Sequence, residues 1–333
     1  MLVTGGAGFI GSNFIRYILR EYDGYRVVNL DKLTYAGNLE NLRDVEGDPR
    51  YRFCRGDICD AGLVTKVVVE HGVDAIVNFA AASHVDRSIM EAGEFVQTDV
   101  YGTYILLEAA RRHGIKRFLL VSTDEIYGSV AEGFSREADP PVPRNPYSAS
   151  KAGAELLVQA YHITHGTQTS ITRGANTIGP YQYPEKRVPL FTTNAIDGLP
   201  LPIYGDGKAV RDHLYVEDHC AAIDLVLHKG IHGEAYNIGA GNEVNSIEVA
   251  EKILDLLDKP RSLMQFVKDR PAHDRRYAMD CTKLKELGWK PQYDADEALE
   301  ITVKWYVENQ GWWRKIKEGQ EYQNYYKWQY RDR

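Results

Sequence analysis

A tyrosine and a lysine spaced four residues apart, Tyr147 and Lys151, are the residues of this chain that most directly suggest chemistry. On a helix, this spacing places the phenol and the ammonium group on one face, one turn apart. A cation beside a phenol favours the phenolate, so we expect Lys151 to lower the pKa of Tyr147 from its ordinary value of about 10. Tyr147 would then accept a proton from an alcohol or a sugar hydroxyl. The same spacing also occurs on helices where the pair serves only packing and solubility, and the spacing alone does not choose between the two.

Three reactive side chains, Thr123, Asp124 and Glu125, stand together upstream of that pair. They end or directly follow the apolar run 117–123, which is typical of a buried parallel strand. Sheets of parallel strands keep their binding sites at the carboxyl ends of the strands. A hydroxyl and two carboxyl groups at such an end favour the catalytic interpretation of the Tyr147 and Lys151 pair.

The start of the chain carries a strand, a glycine-rich turn and a helix. Gly5 allows the tight turn, Gly8 lets a pyrophosphate approach the backbone, and Gly11 lets helix and strand pack closely. A second strand, residues 25–31, ends in Asp31, twenty residues after Gly11, where an acid binds the ribose 2′-hydroxyl of a dinucleotide. Because an acid there disfavours a 2′-phosphate, we predict NAD rather than NADP. The alternative is a glycine turn of some other α/β protein.

The elements that must position these residues alternate between strand and helix. Such alternation predicts an α/β fold with a doubly wound parallel (Rossmann) sheet. We assign residues 1–172 to an NAD-binding Rossmann domain. Turn-rich sequence after Thr172 indicates a smaller α/β substrate lobe over residues 173–333, with a segment at about 210–230 returning to the first domain. The predicted strands are 1–4, 25–31, 51–58, 74–80 and 117–123, and the main predicted helices are 13–21, 63–71, 95–113, 147–165, 246–257 and 294–309.

Two polar features admit two interpretations each. His84 and Asp86 follow the fourth strand and could be catalytic, but a loop whose side chains anchor its own backbone is favoured. The basic residues of the second half either clamp a diphosphate or are solvated surface charge, with neither preferred. These basic residues are Lys186, Arg187, Arg211, Arg270 and Arg275.

Two further patterns suggest structure rather than chemistry. His162 and His165 lie one turn apart with no third ligand type nearby, so we predict no metal site. The segment 305–330 is rich in Trp and Tyr, and we interpret it as cover for the lobe or for a subunit surface rather than as a ligand site.

Composition restricts the partners and the compartment. The net charge of −7 argues against a nucleic-acid or anionic-membrane surface. The four cysteines lack CxxC spacing and no charged-then-apolar leader opens the chain, so we expect a reducing cytoplasm. No apolar run approaches the roughly 18 residues that a membrane helix needs.

These blocks together resemble the extended short-chain dehydrogenase/reductases, and more closely the nucleotide-diphosphate-sugar 4,6-dehydratases. The Thr123-Asp124-Glu125 triplet is the specific one, because generic epimerases of the fold have Ser or Thr there without the acid pair. The resemblance runs nearly end to end. Its other blocks are residues 5–12, 31–38, 56–60, 83–88, 147–151 and 269–273.

The resemblance implies NAD as cofactor and a nucleotide sugar, above all dTDP-glucose, as substrate. The implied reaction oxidises C4, removes water across C5 and C6, and returns the hydride to C6. The alternatives are another 4,6-dehydratase, or a 4-epimerase or decarboxylase of the same fold. A remote alternative is a nucleotide-sensing protein without catalysis. A homodimer through a four-helix bundle, formed by the helices predicted at 95–113 and 147–165, is also implied.

Residue roles follow from the same resemblance. Thr123 would orient the sugar hydroxyl, Tyr147 would take its proton, Asp124 would be the acid and Glu125 the base. Lys151 would hold the nicotinamide ribose. The implied cofactor-binding residues are Gly5, Gly8, Phe9, Ile10, Gly11, Asp31, Lys32, Thr34, Asp57, Ile58, Ala80, Thr98, Tyr147, Lys151 and Thr177, with Asp57 and Ile58 at the adenine. The implied substrate-binding residues are Ser83, Thr123, Asn176, Lys186, Pro202, Tyr204, Arg211, Asn245, Arg270 and His273.

Three residues depart from the family pattern. Ala82 stands where Glu is expected, His213 where Trp often follows Arg-Asp, and Ala272 where Gly is usual. The acid pair and the Tyr147 to Lys151 block are unaffected. The departures therefore concern substrate choice rather than the type of reaction.

Overall fold

The computed structural model describes residues 1–330. The strands are β1 (Leu2–Thr4), β2 (Val27–Asp31), β3 (Tyr51–Arg55), β4 (Ala75–Asn78), β5 (Arg117–Thr123), β6 (Thr169–Gly174), β7 (Asn176–Ile178), β8 (Leu201–Tyr204), β9 (Val210–Tyr215), β10 (Ala235–Ile238), β11 (Glu243–Asn245) and β12 (Met264–Val267). The helices are α1 (Phe9–Glu21), α2 (Ala61–Glu70), α3 (Val85–Met90), α4 (Ala92–Phe95), α5 (Thr103–Arg112), α6 (Pro146–His165), α7 (Arg187–Ile196), α8 (Val216–Lys229), α9 (Ser246–Leu256), α10 (Thr282–Glu286), α11 (Ala295–Glu308), α12 (Gln310–Glu318) and α13 (Gln320–Tyr330).

The central layer is a seven-stranded sheet in the order β10-β6-β5-β4-β1-β2-β3, with every neighbouring pair parallel. The predicted doubly wound parallel sheet is therefore confirmed. Strand order reverses direction at β1, which lies between β2 and β4. A crevice forms at such a switch point, outside the carboxyl ends of the strands, and in this fold it is the usual ligand site.

Helices cover both faces of this sheet, so its strands are buried on both sides. Neighbouring strand residues point to opposite faces. Leu2 accordingly packs in the core cluster beneath α2, α5 and α6, whereas Val3 packs in the cluster beneath α1 and α8. Burial on two faces explains why these strands read as continuous apolar runs rather than as alternating ones.

Helix α6 carries strong signals at both ends. The Asn145 side chain accepts a hydrogen bond from the Ser148 backbone N–H at 2.9 Å, Pro146 opens the first turn, and Gly166 ends the helix with a φ of 65°. Capping of this kind is worth about 1 kcal/mol per end. These local signals fix where the helix begins, and therefore where the side chains of its first two turns lie.

Two predicted elements differ from the structure. The segment 83–88 was expected to be a loop, but Val85–Met90 forms helix α3, because Val85, Asp86 and Ser88 are buried and the helix packs against α6. The predicted helix 95–113 begins earlier, at α4, and passes through a π-helical stretch, Val96–Gly102, before α5. Such stretches frequently occur at functional sites.

The second half of the chain builds a smaller α/β lobe beside the sheet. It contains a three-stranded sheet, β11-β9-β7, and a two-stranded parallel sheet, β12-β8, with α7, α9 and α11 packed around them. Helix α8 packs on α1, and β10 pairs with β6 in the central sheet. Within residues 1–330, every helix is too short or too polar to span a bilayer.

Candidate active site

A cleft of about 410 Å³ opens at the carboxyl ends of β1, β4 and β5. All the predicted cofactor-binding and catalytic residues line it, together with Ser83, Asn176 and Lys186 of the predicted substrate set. The remaining predicted substrate residues lie outside this lining, in the second lobe. These residues are Pro202, Tyr204, Arg211, Asn245, Arg270 and His273.

One end of the cleft is built by the glycine turn and the start of α1. Gly5 has a φ of +66°, and a Cβ there would lie 2.7 Å from the Ala80 Cα, so the turn admits only glycine. A Cβ on Gly11 would lie 2.5 Å from the Gly5 carbonyl oxygen. Helix α1 begins without a side-chain cap and without an acid in its first turn, which leaves its N–H groups for an anion. This end therefore fits a dinucleotide pyrophosphate.

The Asp31 carboxyl group is held in a fixed orientation at the end of β2. It accepts hydrogen bonds from the backbone N–H groups of Ala7 at 2.9 Å and Leu33 at 2.8 Å. Burial raises the pKa of Asp31, and the two backbone hydrogen bonds oppose that shift. Beside it, Lys32 pairs with Asp57 at 2.8 Å. An oriented, buried carboxyl group suits a ribose diol and disfavours a 2′-phosphate.

Thr123 and Asp124 join the end of β5 to a short 3₁₀ helix. The Thr123 hydroxyl lies 3.2 Å from the Asp124 Oδ1, to which it donates, and 3.3 Å from the backbone nitrogen of Glu125, from which it accepts. Asp124 is only 3% exposed. Burial, followed by the charge of Glu125, raises its pKa to about 8. This shift favours the protonated form of Asp124, the form that can give up a proton.

Glu125 is more open to the cleft than Asp124. It is partly buried, and the Tyr277 hydroxyl lies 3.5 Å from its Oε2. Tyr277 also donates to Asp274 at 2.7 Å. The two adjacent carboxyl groups therefore sit in different environments, the condition under which one can serve as acid and the other as base.

The prediction that Lys151 lowers the pKa of Tyr147 is wrong. Burial, and then the charges of Glu125 and Asp99, raise the pKa of Tyr147 well above its usual range, and a hydrogen bond with Thr123 only partly opposes the shift. The Lys151 ammonium instead donates to the Val121 carbonyl oxygen at 2.7 Å. Helical spacing placed the two residues on one helix, but the acids around Tyr147 come from other elements.

Asp99 is a buried acid of this site that the sequence analysis missed. In the π-helical stretch, its Oδ1 accepts from the backbone N–H of Ala82 at 3.0 Å and its Oδ2 from the Ser150 hydroxyl at 2.6 Å. Burial raises the pKa of Asp99 to about 6. Burial lowers the pKa of Lys151, and the charge of Asp99 partly opposes that shift. The sequence offered one signal for this residue, an acid inside the predicted helix 95–113.

His84 and Asp86 flank the start of α3 rather than anchoring a loop. Both are buried, and Arg270 approaches the Asp86 Oδ1 at 3.6 Å. Burial, with Lys186 and Arg270 nearby, holds the pKa of His84 well below its usual range, so this histidine is neutral. Lys186 donates to the Ser83 carbonyl oxygen at 2.8 Å. The tertiary fold thus joins the 83–88 segment to the second lobe.

Four of the predicted substrate residues of the second lobe lie close together, namely Tyr204, Arg211, Arg270 and His273. Arg211 donates to the Asp274 carbonyl oxygen at 2.8 Å and lies 4.3 Å from the centre of the Tyr277 ring. The rings of Tyr204 and His273 meet edge to face at 6.1 Å. Burial and the two nearby arginines lower the pKa of His273 to about 4.

The basic residues of the second lobe lie in three different environments. Arg275 is exposed and pairs with Asp206 at 2.7 Å, as the surface-charge interpretation expects. Arg187 donates to Ser246 at 2.9 Å and to the Nε2 of His213 at 2.7 Å, which gives the His213 departure a partner. Lys186, Arg211 and Arg270 lie near the acid pair, which contributes to the electrostatic environment of each.

Two remaining features of the site concern capping and metals. The side-chain oxygen of Asn245 caps α9 by accepting from Ile247 and Glu248, which leaves only its amide N–H₂ group for a ligand. Among residues 1–330, no three His, Cys, Asp or Glu side chains are arranged to hold a metal ion.

Comparison with known proteins relates this site to characterised enzymes. The family model described as GDP-mannose 4,6 dehydratase matches residues 2–302. The chain is 51% identical to a dTDP-glucose 4,6-dehydratase of Streptomyces niveus and 51% identical to one of Xanthomonas campestris pv. campestris, each over 96% of both chains. The solved structure of DesIV, a dTDP-glucose 4,6-dehydratase of Streptomyces venezuelae with NAD bound, aligns with a TM-score of 0.92 and 50% identity over 95% of this chain and 99% of that one.

Proposed function

The chain belongs to the GDP-mannose 4,6 dehydratase family, and from this membership we propose that it is an NAD-dependent dTDP-glucose 4,6-dehydratase. One observation carries the proposal at the level of chemistry. Asp124 and Glu125 stand side by side at the end of β5, and burial together with the charge of Glu125 raises the pKa of Asp124 to about 8, which favours its protonated form. One site thus offers a proton donor beside a second carboxyl group.

The order of steps follows from the acidity of the sugar. The hydrogen on C5 of glucose is not acidic, so water cannot leave across C5 and C6 until C4 has become a ketone. NAD⁺, when bound, accepts the hydride of C4 and later returns it to C6. The protein must therefore move four protons, from the C4 hydroxyl, from C5, to the departing C6 hydroxyl, and back to C5 when the hydride reaches C6.

Tyr147 is assigned to the first proton. It is hydrogen-bonded to Thr123, which can orient the C4 hydroxyl toward it. The raised pKa of Tyr147 means that the phenol is neutral until a positive charge enters the cleft. A bound nicotinamide carries such a charge, and this favours the phenolate when cofactor and substrate are both in place.

Glu125 and Asp124 are assigned to the other three proton movements. Glu125 takes the C5 proton and returns a proton to C5 when the hydride reaches C6, because it is the more open of the two carboxyl groups. Asp124 donates to the C6 hydroxyl as it leaves, because it carries a proton at neutral pH. General acids and bases of this kind typically contribute about 10²–10⁴-fold each.

The rival reactions on the same scaffold require fewer of these side chains. A 4-epimerase or a decarboxylase uses the Tyr147 and Lys151 pair but requires no acid pair beside it. A nucleotide-sensing protein requires neither. The two carboxyl groups in unlike environments favour dehydration over all three.

Product analysis tests the proposal. The purified protein, supplied with NAD, is incubated separately with dTDP-, UDP-, CDP- and GDP-glucose, and the products are identified by mass spectrometry and NMR. We expect dTDP-glucose to lose one water faster than the other three substrates do. The product should be the 4-keto-6-deoxy sugar, with C5 deuterated when the reaction is run in D₂O. An epimer without loss of water would contradict the proposal.

Two variants test the assigned roles. Glu125→Gln is expected to retain the C5 hydrogen in D₂O, whereas Asp124→Asn is expected to exchange it but to eliminate water slowly. The exposed Glu132→Gln serves as a matched control. If the two phenotypes are interchanged, the roles are reversed, and if neither variant slows elimination the acid pair is structural.

We also propose that the protein is a cytoplasmic homodimer. The helices α5 and α6 and the π-helical stretch expose large apolar side chains, among them Val96, Tyr101, Leu156 and Ile163, the last of which is 80% exposed. Patches of this kind mark protein interfaces. Leu156→Glu should halve the mass measured by light scattering, and an unchanged mass would contradict the bundle interface.

A further inference from the structure

Helix α13 covers part of the second lobe with a single buried face. Tyr322, Tyr325 and Gln329 recur at helical spacing on that face and are between 2% and 7% exposed. The Tyr322 hydroxyl donates to the Pro184 carbonyl oxygen at 3.2 Å, close to Glu185 and Lys186 of the cleft. The sequence analysis interpreted this aromatic segment as cover alone. Its polar contacts are more specific than cover requires.

The end of α13 holds Tyr204 in place. The Gln329 side-chain amide donates to the Tyr204 hydroxyl at 2.5 Å, and the Tyr330 hydroxyl lies 3.4 Å from the same oxygen. On its other side, the Tyr204 ring meets the ring of His273 edge to face. Tyr204 and His273 both belong to the predicted substrate set, so α13 contacts that set through Tyr204.

The start of α13 holds Arg87, which lines the cleft. Glu321 pairs with the Nη1 of Arg87 at 2.7 Å, and Glu185 pairs with its Nη2 at 3.0 Å. The Tyr325 ring lies 4.3 Å below the same guanidinium group. Tyr325 also meets the ring of His84 at 5.6 Å. Helix α13 therefore contacts both Arg87, which lines the cleft, and Tyr204, which belongs to the predicted substrate set outside that lining.

We propose that α13 is a positioning element of the nucleotide-sugar site, in which Gln329 orients Tyr204 and the pair Glu321 and Tyr325 orients Arg87. The inference rests on the proposed function, because it takes a nucleoside diphosphate sugar as the ligand. A side chain that is already fixed loses less freedom when the ligand binds, and this raises affinity. Within residues 1–330, the side-chain contacts of α13 reach Tyr204, Arg87 and His84 rather than the acid pair or Tyr147, so we expect the chemical step to be unaffected.

The expected signature is a change in KM without a change in kcat. Gln329→Ala removes the donor to Tyr204 and should raise KM for dTDP-glucose about 3- to 10-fold, the range expected when one ordered side chain is released. The value of kcat should stay within about twofold. Gln323→Ala, on the exposed face of the same helix, is the matched control and should change neither constant.

A binding measurement separates this inference from the proposed function. The affinity of the NAD-loaded protein for dTDP alone, measured by calorimetry, should fall by the same factor in Gln329→Ala, whereas NAD affinity should not change. If the parent protein binds dTDP but converts no nucleotide sugar, the proposed function fails, while a weaker dTDP complex in Gln329→Ala still supports the role of α13.

A second perturbation guards against a folding defect. Glu321→Gln removes the charge that pairs with Arg87, at an exposed position where its other oxygen accepts from the Tyr183 hydroxyl at 2.9 Å, and should also raise KM at constant kcat. The inference is overturned if both variants keep the parent KM and dTDP affinity while melting at a lower temperature, because α13 would then serve packing alone. It is equally overturned if kcat falls and KM does not move.

Discussion

The protonation state of Asp124 predicts an unusual dependence of stability on pH. Asp124→Asn keeps the size and shape of the protonated side chain but cannot ionise. In the folded protein, burial and Glu125 raise the pKa of Asp124 to about 8, whereas in the unfolded chain an aspartate titrates near pH ~3.9. Between these two values the folded state holds a proton that the unfolded state has lost.

The sign of the effect follows from proton linkage. Because the folded state binds more protons in this window, the free energy of unfolding falls as pH rises from about 4 to about 8. Each pH unit is worth about 1.4 kcal/mol, so the span from about pH 5 to about pH 8 has an upper limit of about 4 kcal/mol. Local relaxation and water entry lower this limit, and we expect about 2–4 kcal/mol. Because Asn cannot ionise, Asp124→Asn lacks this pH-dependent loss of stability.

Urea unfolding checks this prediction. Parent and Asp124→Asn proteins are unfolded at about pH 5, 6.5 and 8, at one NAD concentration and one protein concentration, with tryptophan fluorescence as the signal. The stability of Asp124→Asn relative to the parent should increase steadily with pH, and the exposed Asp23→Asn should show no such trend. A relative stability that is constant over this range would mean that Asp124 is ionised in the folded protein. Its assignment as the general acid would then have no physical basis.

Three further predictions concern single positions. Tyr147→Phe should lower kcat for the keto product about 10²–10⁴-fold with KM nearly unchanged, because only the proton acceptor is lost; steady-state kinetics will show this, and near-normal turnover would refute the role. Asp31→Ser should weaken NAD binding and make the affinities for NAD and NADP similar in calorimetry, since no buried carboxylate then repels a 2′-phosphate. An unchanged preference for NAD would mean that Asp31 does not cause that preference. Ala272→Gly should raise the free energy of unfolding by about 1 kcal/mol, because Ala272 has a φ of +51° and only glycine adopts that conformation without strain. Thermal unfolding should show a rise of a few degrees or less in Tm, and a lower Tm would contradict this.

Features that depend on short stretches of chain could be predicted from the sequence alone. The strand β5 was located from its apolar run with its observed limits, 117–123. The glycine turn, Asp31 and the acid pair were recognised because their function requires particular residue types at particular spacings. The parallel sheet followed from the alternation of strands and helices. In each case the deciding interaction is local or repeats along the chain, so a single sequence contains enough information.

The electrostatics and the back wall of the site were decided by tertiary structure. Tyr147 was expected to have a lowered pKa because of Lys151, but burial and the charges of Glu125 and Asp99 raise it. The segment 83–88 was expected to be a loop, but Val85–Met90 is helical because its buried residues pack against α6. Gln329 reaches Tyr204 across 125 residues. Desolvation and long-range contacts depend on which distant elements meet, and residue spacing within one element carries no information about that.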